Sequence, residues 1–262
     1  MKSICFQTTC YEKDYSLLLE KGLLENYLSH FPEISFSEKR ILINNVKNPK
    51  KIDKLINSKF PEFSYVFTDD QKQNVINYFD LDSKVINVGL YYSIQHFTGV
   101  YCTDCDYLFH IGGDNNIEHL DSNFIRESID ILESNDSYII AMPRWGEDPT
   151  KGAIEEAIRS DHNFFVEFGF TDQIYILKVN EFKNKIYNYS HPDSSKYPLY
   201  GGELFEKRVN SFMRTMGKYR VVHKNYFYMP GYYDYLIKKS NKLNYLQRVA
   251  QKVINVQKRF FK

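Results

Sequence analysis

The sequence predicts an α/β domain built on a mostly parallel sheet, followed by a short basic segment. Three observations carry that expectation. Short apolar runs of strand length alternate with stretches of helical periodicity. Polar clusters follow several of these runs, and a parallel sheet gathers its ligands at the carboxyl ends of its strands. The last residues are basic and amphipathic. The domain is expected over residues 1–236 and a basic amphipathic helix over 237–262.

Ile4-Cys5-Phe6-Gln7-Thr8-Thr9-Cys10 reads as a buried strand, and Leu17, Leu18, Leu19, Leu23, Leu24 and Tyr27 mark the apolar face of the helix after it. A second strand, Arg40 to Asn45, precedes a helix opened by Pro49 and running to about Ser58. Phe63 to Phe67 is a third strand, with Thr68-Asp69-Asp70 expected as turn and cap ahead of a helix carrying Val75, Ile76, Tyr78 and Phe79. Val88 to Tyr101 is helical, Tyr107 to Ile111 a strand, Asn123 to Glu133 a helix and Ser137 to Met142 a strand. A break is expected from Pro143 to Pro149. Then come a strand over Gln173 to Leu177, a polar loop around His191 to Ser195, a helix from about Glu203 to Met216 and a strand over Tyr219 to Val222.

With 262 residues and 43% hydrophobic content the chain can bury one large core or two small ones. No apolar run is long enough to span a bilayer, and Met1-Lys2-Ser3 passes directly into a strand without a signal-peptide pattern, so a cytoplasmic location is expected. The cysteines are Cys5, Cys10, Cys102 and Cys105, and one isolated C-x-x-C pair reads as reduced thiols rather than a zinc site. The formal charge of +1 hides an asymmetry. Residues from Lys238 onward carry eight cations and no acid, which leaves −7 on residues 1–237.

Two segments carry chemistry. The strand Asp106-Tyr107-Leu108-Phe109-His110-Ile111 stops at Gly112-Gly113-Asp114-Asn115-Asn116. Taken alone, those last residue types make an ordinary turn. With the turn Asn87-Val88-Gly89 and the helix after it, the stretch resembles the part of GT-A glycosyltransferases in which an apolar strand ends in Asp-x-Asp. The resemblance implies a GT-A fold and a nucleotide-sugar donor, uridine-type by preference, whose diphosphate is held by Gly112, Gly113 and Asp114. Gly112 stands where the family has its first Asp. Asp114 is then the carboxylate on Mn²⁺ or Mg²⁺, with Asn116 or water completing the shell and His223 as a last ligand, or cationic side chains replace the metal.

The second segment, Tyr200-Gly201-Gly202-Glu203-Leu204-Phe205-Glu206, resembles the family's Gly-Gly-Glu element at a helix start. It implies Glu203 as general base toward an acceptor hydroxyl, with Glu206 in reserve. Otherwise both acids serve the helix dipole. In the same fold Thr8, Thr9, Tyr11, Asn45 and Asp69 would receive the nucleoside, while Trp145 and Asp172 would line the acceptor side. Implied is an inverting sugar transfer to a glycan or lipid-linked hydroxyl in surface polysaccharide assembly. The basic tail would rest on an anionic membrane surface, at the inner face, and nucleic acid is not expected as a partner. A non-catalytic binding module on the same fold and a sugar-phosphate nucleotidyltransferase stay open as alternatives.

Overall fold

A computed structural model describes residues 2–147 and 157–231 of the chain. The basic helix expected over 237–262 and the Asp148-Pro149 end of the expected break lie outside the described residues. In chain order the elements are β1 (Ile4–Tyr11), α1 (Leu23–Ser29), β2 (Glu38–Asn44), α2 (Pro49–Lys59), β3 (Ser64–Phe67), α3 (Thr68–Phe79), α4 (Ser83–Ile86), α5 (Gly89–Cys102), β4 (Tyr107–Ile111) and β5 (Asn115–Asn116). They continue with α6 (Ser122–Ser134), β6 (Tyr138–Trp145), β7 (Ala157–Asp161), β8 (Phe164–Glu167), β9 (Ile174–Lys178), α7 (Val179–Lys183), α8 (Phe205–Met216) and β10 (Tyr219–Pro230).

The strands form one sheet in the order β3-β2-β1-β4-β9-β6-β10-β8-β7, and β5 pairs with the far end of β10. Only β9 and β8 run against the other strands on that path, so the sheet is mixed and mostly parallel. Because β1 is covered on both sides, it reads as a continuous buried run rather than an alternating one. Phe6, Phe109, Ile41 and Ile43 pack on one face with α1, α2 and α6. Cys5, Leu108, Ile140 and Leu177 pack on the other with α3, α5, α7 and α8. The α/β reading therefore holds.

Local chemistry sets most boundaries. Asn48 Oδ1 accepts from Lys51 N with Pro49 at the first position of α2, and Asp121 Oδ1 accepts from the amides of Asn123 and Phe124 to start α6. Gly217, at φ 63°, closes α8 in the left-handed conformation that glycine takes without strain.

Several boundaries differ from the sequence reading. The helix expected over Leu17–Tyr27 is two pieces, a wide turn over Ser16–Glu20 and α1, divided at Gly22 with φ 83°. Thr68 does not cap: β3 passes straight into α3, and the Thr68 hydroxyl turns inward to donate to Asn44 Oδ1 at 3.0 Å. The break expected at Pro143 falls later, because β6 continues to Trp145 and its ladder with β10 resumes after a register shift that follows the Pro143–His223 pair. The hairpin strands β7 and β8 were not anticipated. Helix α8 begins at Phe205, which leaves Glu203 in the segment ahead of it.

Candidate active site

A cleft of about 390 Å³ opens at the carboxyl ends of β1 and β2. Its walls are Tyr11, Glu12, Lys13 and Asp14 after β1, Asn45 after β2, Tyr91, Tyr92 and Gln95 on the first turns of α5, Asp172 ahead of β9, and Tyr200, Leu204 and Glu206 at the entry to α8. A smaller hollow of about 50 Å³ adjoins it, lined by Asn44, Asn45, Asp69, Lys72, Leu90, Tyr91 and Ile94. Asn45, at φ 54°, turns the chain at this shared corner. The strand-end position is the one that a parallel sheet favours for ligands.

The Gly112-Gly113-Asp114 turn sits beside this cleft in a form that only glycines permit. A Cβ on Gly113 would stand 2.5 Å from the Thr9 carbonyl oxygen, and one on Gly112 would stand 2.8 Å from Asn115 Nδ2. A side chain at 112 would therefore have to displace the Asn115 amide, which donates to Gly112 O and Gln173 Oε1. The Gly112 amide donates to Gln173 O at 2.7 Å, and the buried Tyr27 hydroxyl donates to Gly112 O at 3.2 Å and Asn115 O at 2.9 Å. Removing that hydroxyl by Tyr27→Phe is expected to cost about 1 kcal/mol of stability, read as a lowered midpoint in urea with an unchanged slope.

The two glycine segments read from sequence meet each other. A Cβ on Gly202 would lie 1.8 Å from Ile86 O, and one on Gly89 would lie 2.7 Å from Glu203 O. The Glu203 amide donates to Val85 O at 3.0 Å, and the Phe205 amide donates to Ser93 Oγ at 2.9 Å. The entry to α8 is thereby clamped onto the start of α5.

Four of the carboxyls at the cleft or its edge depart from their ordinary values. Burial first, then the charge of Asp172, pushes Glu206 up to about 8. Burial opposes ionisation of Asp172 as well, but His96 and the Gln173 amide outweigh it and hold that carboxyl at about 2. His96 Nε2 stands 3.7 Å from Asp172 Oδ2, and Gln173 Nε2 donates to Asp172 Oδ1 at 2.6 Å. The two carboxyls titrate as a couple that shares a proton, with Glu206 favoured to carry it. Burial first, then the charge of Asp114, raises Asp14 to about 6. Burial also raises Asp114, with Asp172 adding to the rise. Behind this wall a buried polar chain runs from Thr68 through Asn44 and Gln95 to His96, whose other nitrogen lies 3.1 Å from the Tyr175 hydroxyl. Satisfied on both sides, it holds His96 rigidly against Asp172.

The structure redistributes the residues named from sequence. Tyr11, Asn45, Asp172 and Glu206 line the cleft, and Asp69 lines the adjoining hollow with Asn45. Glu203 does not line the cleft: Lys207 Nζ at 2.7 Å and Arg208 Nε at 2.8 Å neutralise it, so the position expected for the base is a structural ion pair. Thr8 and Thr9 are buried within β1 and offer no side chain to the cleft. Asn116 Oδ1 accepts from Glu118 N at 3.0 Å within the turn after β5, and Asn116 does not line the cleft. His223 is 1% exposed; its Nε2 lies 3.0 Å from Glu127 Oε2 and its Nδ1 accepts from the amides of Asn225 and Tyr226, so both nitrogens are occupied. Trp145 is exposed at the end of β6, apart from the residues lining the cleft.

Sequence reasoning missed Lys13, Asp14, Tyr91, Tyr92 and Tyr200. Their signal was position: four follow a strand or begin a helix at the ligand-bearing edge. Among the described residues no three His, Cys, Asp or Glu side chains converge as a metal cage. What fits Mn²⁺ or Mg²⁺ is smaller, namely Asp14 and Asp114, whose mutual repulsion a divalent cation would relieve, with a ligand's phosphate oxygens and water as the remaining donors. The Cys5 and Cys10 thiols are pushed by burial up to about 12 and stay protonated, and all four cysteines are free. No described helix is long and apolar enough to cross a membrane.

No protein-family model matches the sequence, and no curated protein matches it. Among solved structures the chain is similar to S. aureus TarS 1-349, at 10% identity and a TM-score of 0.44, over 87% of this chain and 60% of that one. It is also similar to a CMP:2-keto-3-deoxy-manno-octonic acid synthetase complexed with CTP, at 8% identity and a TM-score of 0.47, over 94% of this chain and 99% of that one. A third is the glucosyl-3-phosphoglycerate synthase from Mycobacterium tuberculosis in complex with Mn²⁺, UDP and glucosyl-3-phosphoglycerate, at 8% identity and a TM-score of 0.39, over 68% of this chain and 57% of that one. The chain spans 60% of the length of the TarS structure. The likeness is one of fold.

Proposed function

We propose that the chain is a glycosyltransferase that moves a sugar from a nucleotide-sugar donor to an acceptor hydroxyl with inversion. The single observation that carries the reading is the pairing, at one strand-end cleft, of a proton-sharing carboxyl couple (Asp172 and Glu206) with a second carboxylate couple suited to a cation (Asp14 and Asp114). The resemblance of Gly112-Gly113-Asp114 and Gly201-Gly202-Glu203 to GT-A segments supports it. The nucleoside is assigned to the side of the main cleft where Tyr11 and Asn45 stand, with the small hollow of Asp69 beyond it, and the diphosphate to the neighbourhood of Asp14, Asp114 and Lys13. Four acids and one lysine line the main cleft, so an anionic donor is repelled by bare side chains. Mn²⁺ or Mg²⁺ on Asp14 and Asp114 would supply the missing positive charge and stabilise the leaving diphosphate.

In the transfer the acceptor oxygen forms its bond to the anomeric carbon as the bond from that carbon to the diphosphate oxygen breaks. The hydroxyl proton passes to the Asp172–Glu206 couple, and the nucleoside diphosphate leaves with the bonding electrons. Asp172 keeps Glu206 in place and is itself held by His96 and Gln173. Membrane attachment through residues 237–262 and a role in surface polysaccharide assembly belong to the same proposal.

The test is a panel of nucleotide sugars with and without Mn²⁺, followed by thermal shift and by identifying the nucleotide released. Nucleoside diphosphate release that needs the cation, and that falls at least tenfold in both Asp14→Asn and Asp114→Ala, is the expected result. Pyrophosphate as the product would favour nucleotidyl transfer instead. Absence of any stabilisation by nucleotide or nucleotide sugar would sink the transferase reading.

A further inference from the structure

Three large aromatic side chains at the cleft are left unburied by the fold: Tyr91, Tyr92 and Tyr200 are 54%, 48% and 53% exposed. Neither the core nor the proton-sharing couple uses them. They also cluster, with ring centroids 5.1 Å apart for Tyr91–Tyr92 and 5.3 Å apart for Tyr92–Tyr200, the second pair tilted by 53°. Exposed and contiguous aromatic surface at the rim of a cavity marks a binding site more often than a packing remnant.

The cluster is held in place by backbone. Gly201, at φ 73°, approaches Val88 so closely that a Cβ there would lie 2.8 Å from the Val88 Cβ, and Gly202 abuts Ile86 O. These contacts set Tyr200 beside Tyr92 without help from the two rings themselves. The tyrosines also divide by neighbourhood. Tyr91 lines both the main cleft and the small hollow with Asn45 and Asp69, whereas Tyr92 and Tyr200 line only the main cleft, which also carries Glu206.

We infer that Tyr92 and Tyr200 form a stacking platform for the acceptor, and that the acceptor is an uncharged saccharide. This rests on the transferase reading for the word acceptor, but the carbohydrate site stands on its own observations. A flat ring edged by a hydroxyl matches the apolar face and polar rim of a pyranose. Charge decides against other occupants of this cleft: it carries Glu12, Asp14 and the ionised Asp172 against the single Lys13, so a phosphorylated polyol, a uronate or a lipid diphosphate meets net repulsion there. An uncharged sugar meets none, and the same carboxyls accept its hydroxyls.

The experiment titrates the full chain with neutral oligosaccharides of glucose and of N-acetylhexosamine and with a uronate oligomer, by saturation-transfer NMR and calorimetry. The expected result is binding of a neutral oligosaccharide that weakens roughly tenfold in Tyr92→Ala and in Tyr200→Ala, is kept in Tyr200→Phe, and exceeds binding of the uronate. Unchanged melting temperatures in these exposed variants confirm that the loss is local. Equal affinity in the Tyr92→Ala/Tyr200→Ala double variant, tighter binding of the uronate, or no saccharide binding by the wild-type chain overturns the proposal. The donor panel on the wild-type chain is read separately: a chain that binds saccharide through these tyrosines but no nucleotide sugar keeps the platform and loses the transferase.

Discussion

Glu206→Gln is expected to lower the rate of sugar transfer by about 10² to 10⁴-fold, the usual worth of a positioned general base, with little change in donor binding. The substitution isolates chemistry from folding because Glu206, pushed up to about 8, is neutral like glutamine at pH 7. The wild-type rate should climb with pH through about 8 as the couple loses its proton, and the variant should lose that limb. Stability moves in the opposite sense. The folded state holds the Glu206 proton more tightly than the unfolded chain, whose value is near 4.5, so the contribution is complete below that value and is lost as pH rises through about 8. Glu206→Gln removes this loss, so its melting temperature should gain on the wild type as pH rises between about 4.5 and 8, where the unfolded chain has released the proton and the folded one has not, and the gain should level off above 8. Glu203→Gln makes the contrast. Its partner Arg208 has a side chain only 6% exposed, so weakening the pair should appear as a loss of about 1–3 kcal/mol in stability rather than as lost catalysis. Equal transfer rates in Glu206→Gln and wild type would remove Glu206 from the mechanism.

Gly202→Ala should be the most damaging single methyl group in the molecule. Its Cβ would stand 1.8 Å from Ile86 O, a backbone atom that cannot rotate away, so one of the two segments must move. Either movement breaks the Glu203 N to Val85 O hydrogen bond and unseats the start of α8. The expected cost is about 3–5 kcal/mol, at the severe end for a point substitution, with a fall of roughly 6–20 °C in melting temperature. Gly146→Ala is the control: nothing lies within 4 Å of its Cβ position, although its φ of 78° strains any side chain there. A melting temperature for Gly202→Ala within 2 °C of wild type would show that the two glycine segments are not clamped together.

Strand and helix order was legible because it rests on local information. Buried runs such as Tyr107–Ile111, caps such as Asn48-Pro49 and Asp121, and the glycine stop at Gly217 act within a few residues. The helix interruption at Gly22 was also local, but the strong leucine periodicity across it masked the break. Less visible were β7 and β8, which pair with each other and join the sheet through β8 on β10.

For the site, the sequence by itself determined that carboxylates and glycines gather at strand ends and at the entry to α8. Residue type and spacing are enough for that, and Asp172, Asn45, Asp69 and Glu206 all reach the cleft or its adjoining hollow. The fold, rather than residue order, gives the two glutamates different surroundings. Glu203 and Glu206 are three residues apart, yet Lys207 and Arg208 close on the first while Asp172, 34 positions upstream, pushes up the second. Charge balance and desolvation depend on what the fold brings within a few ångströms, and a linear sequence does not contain those distances.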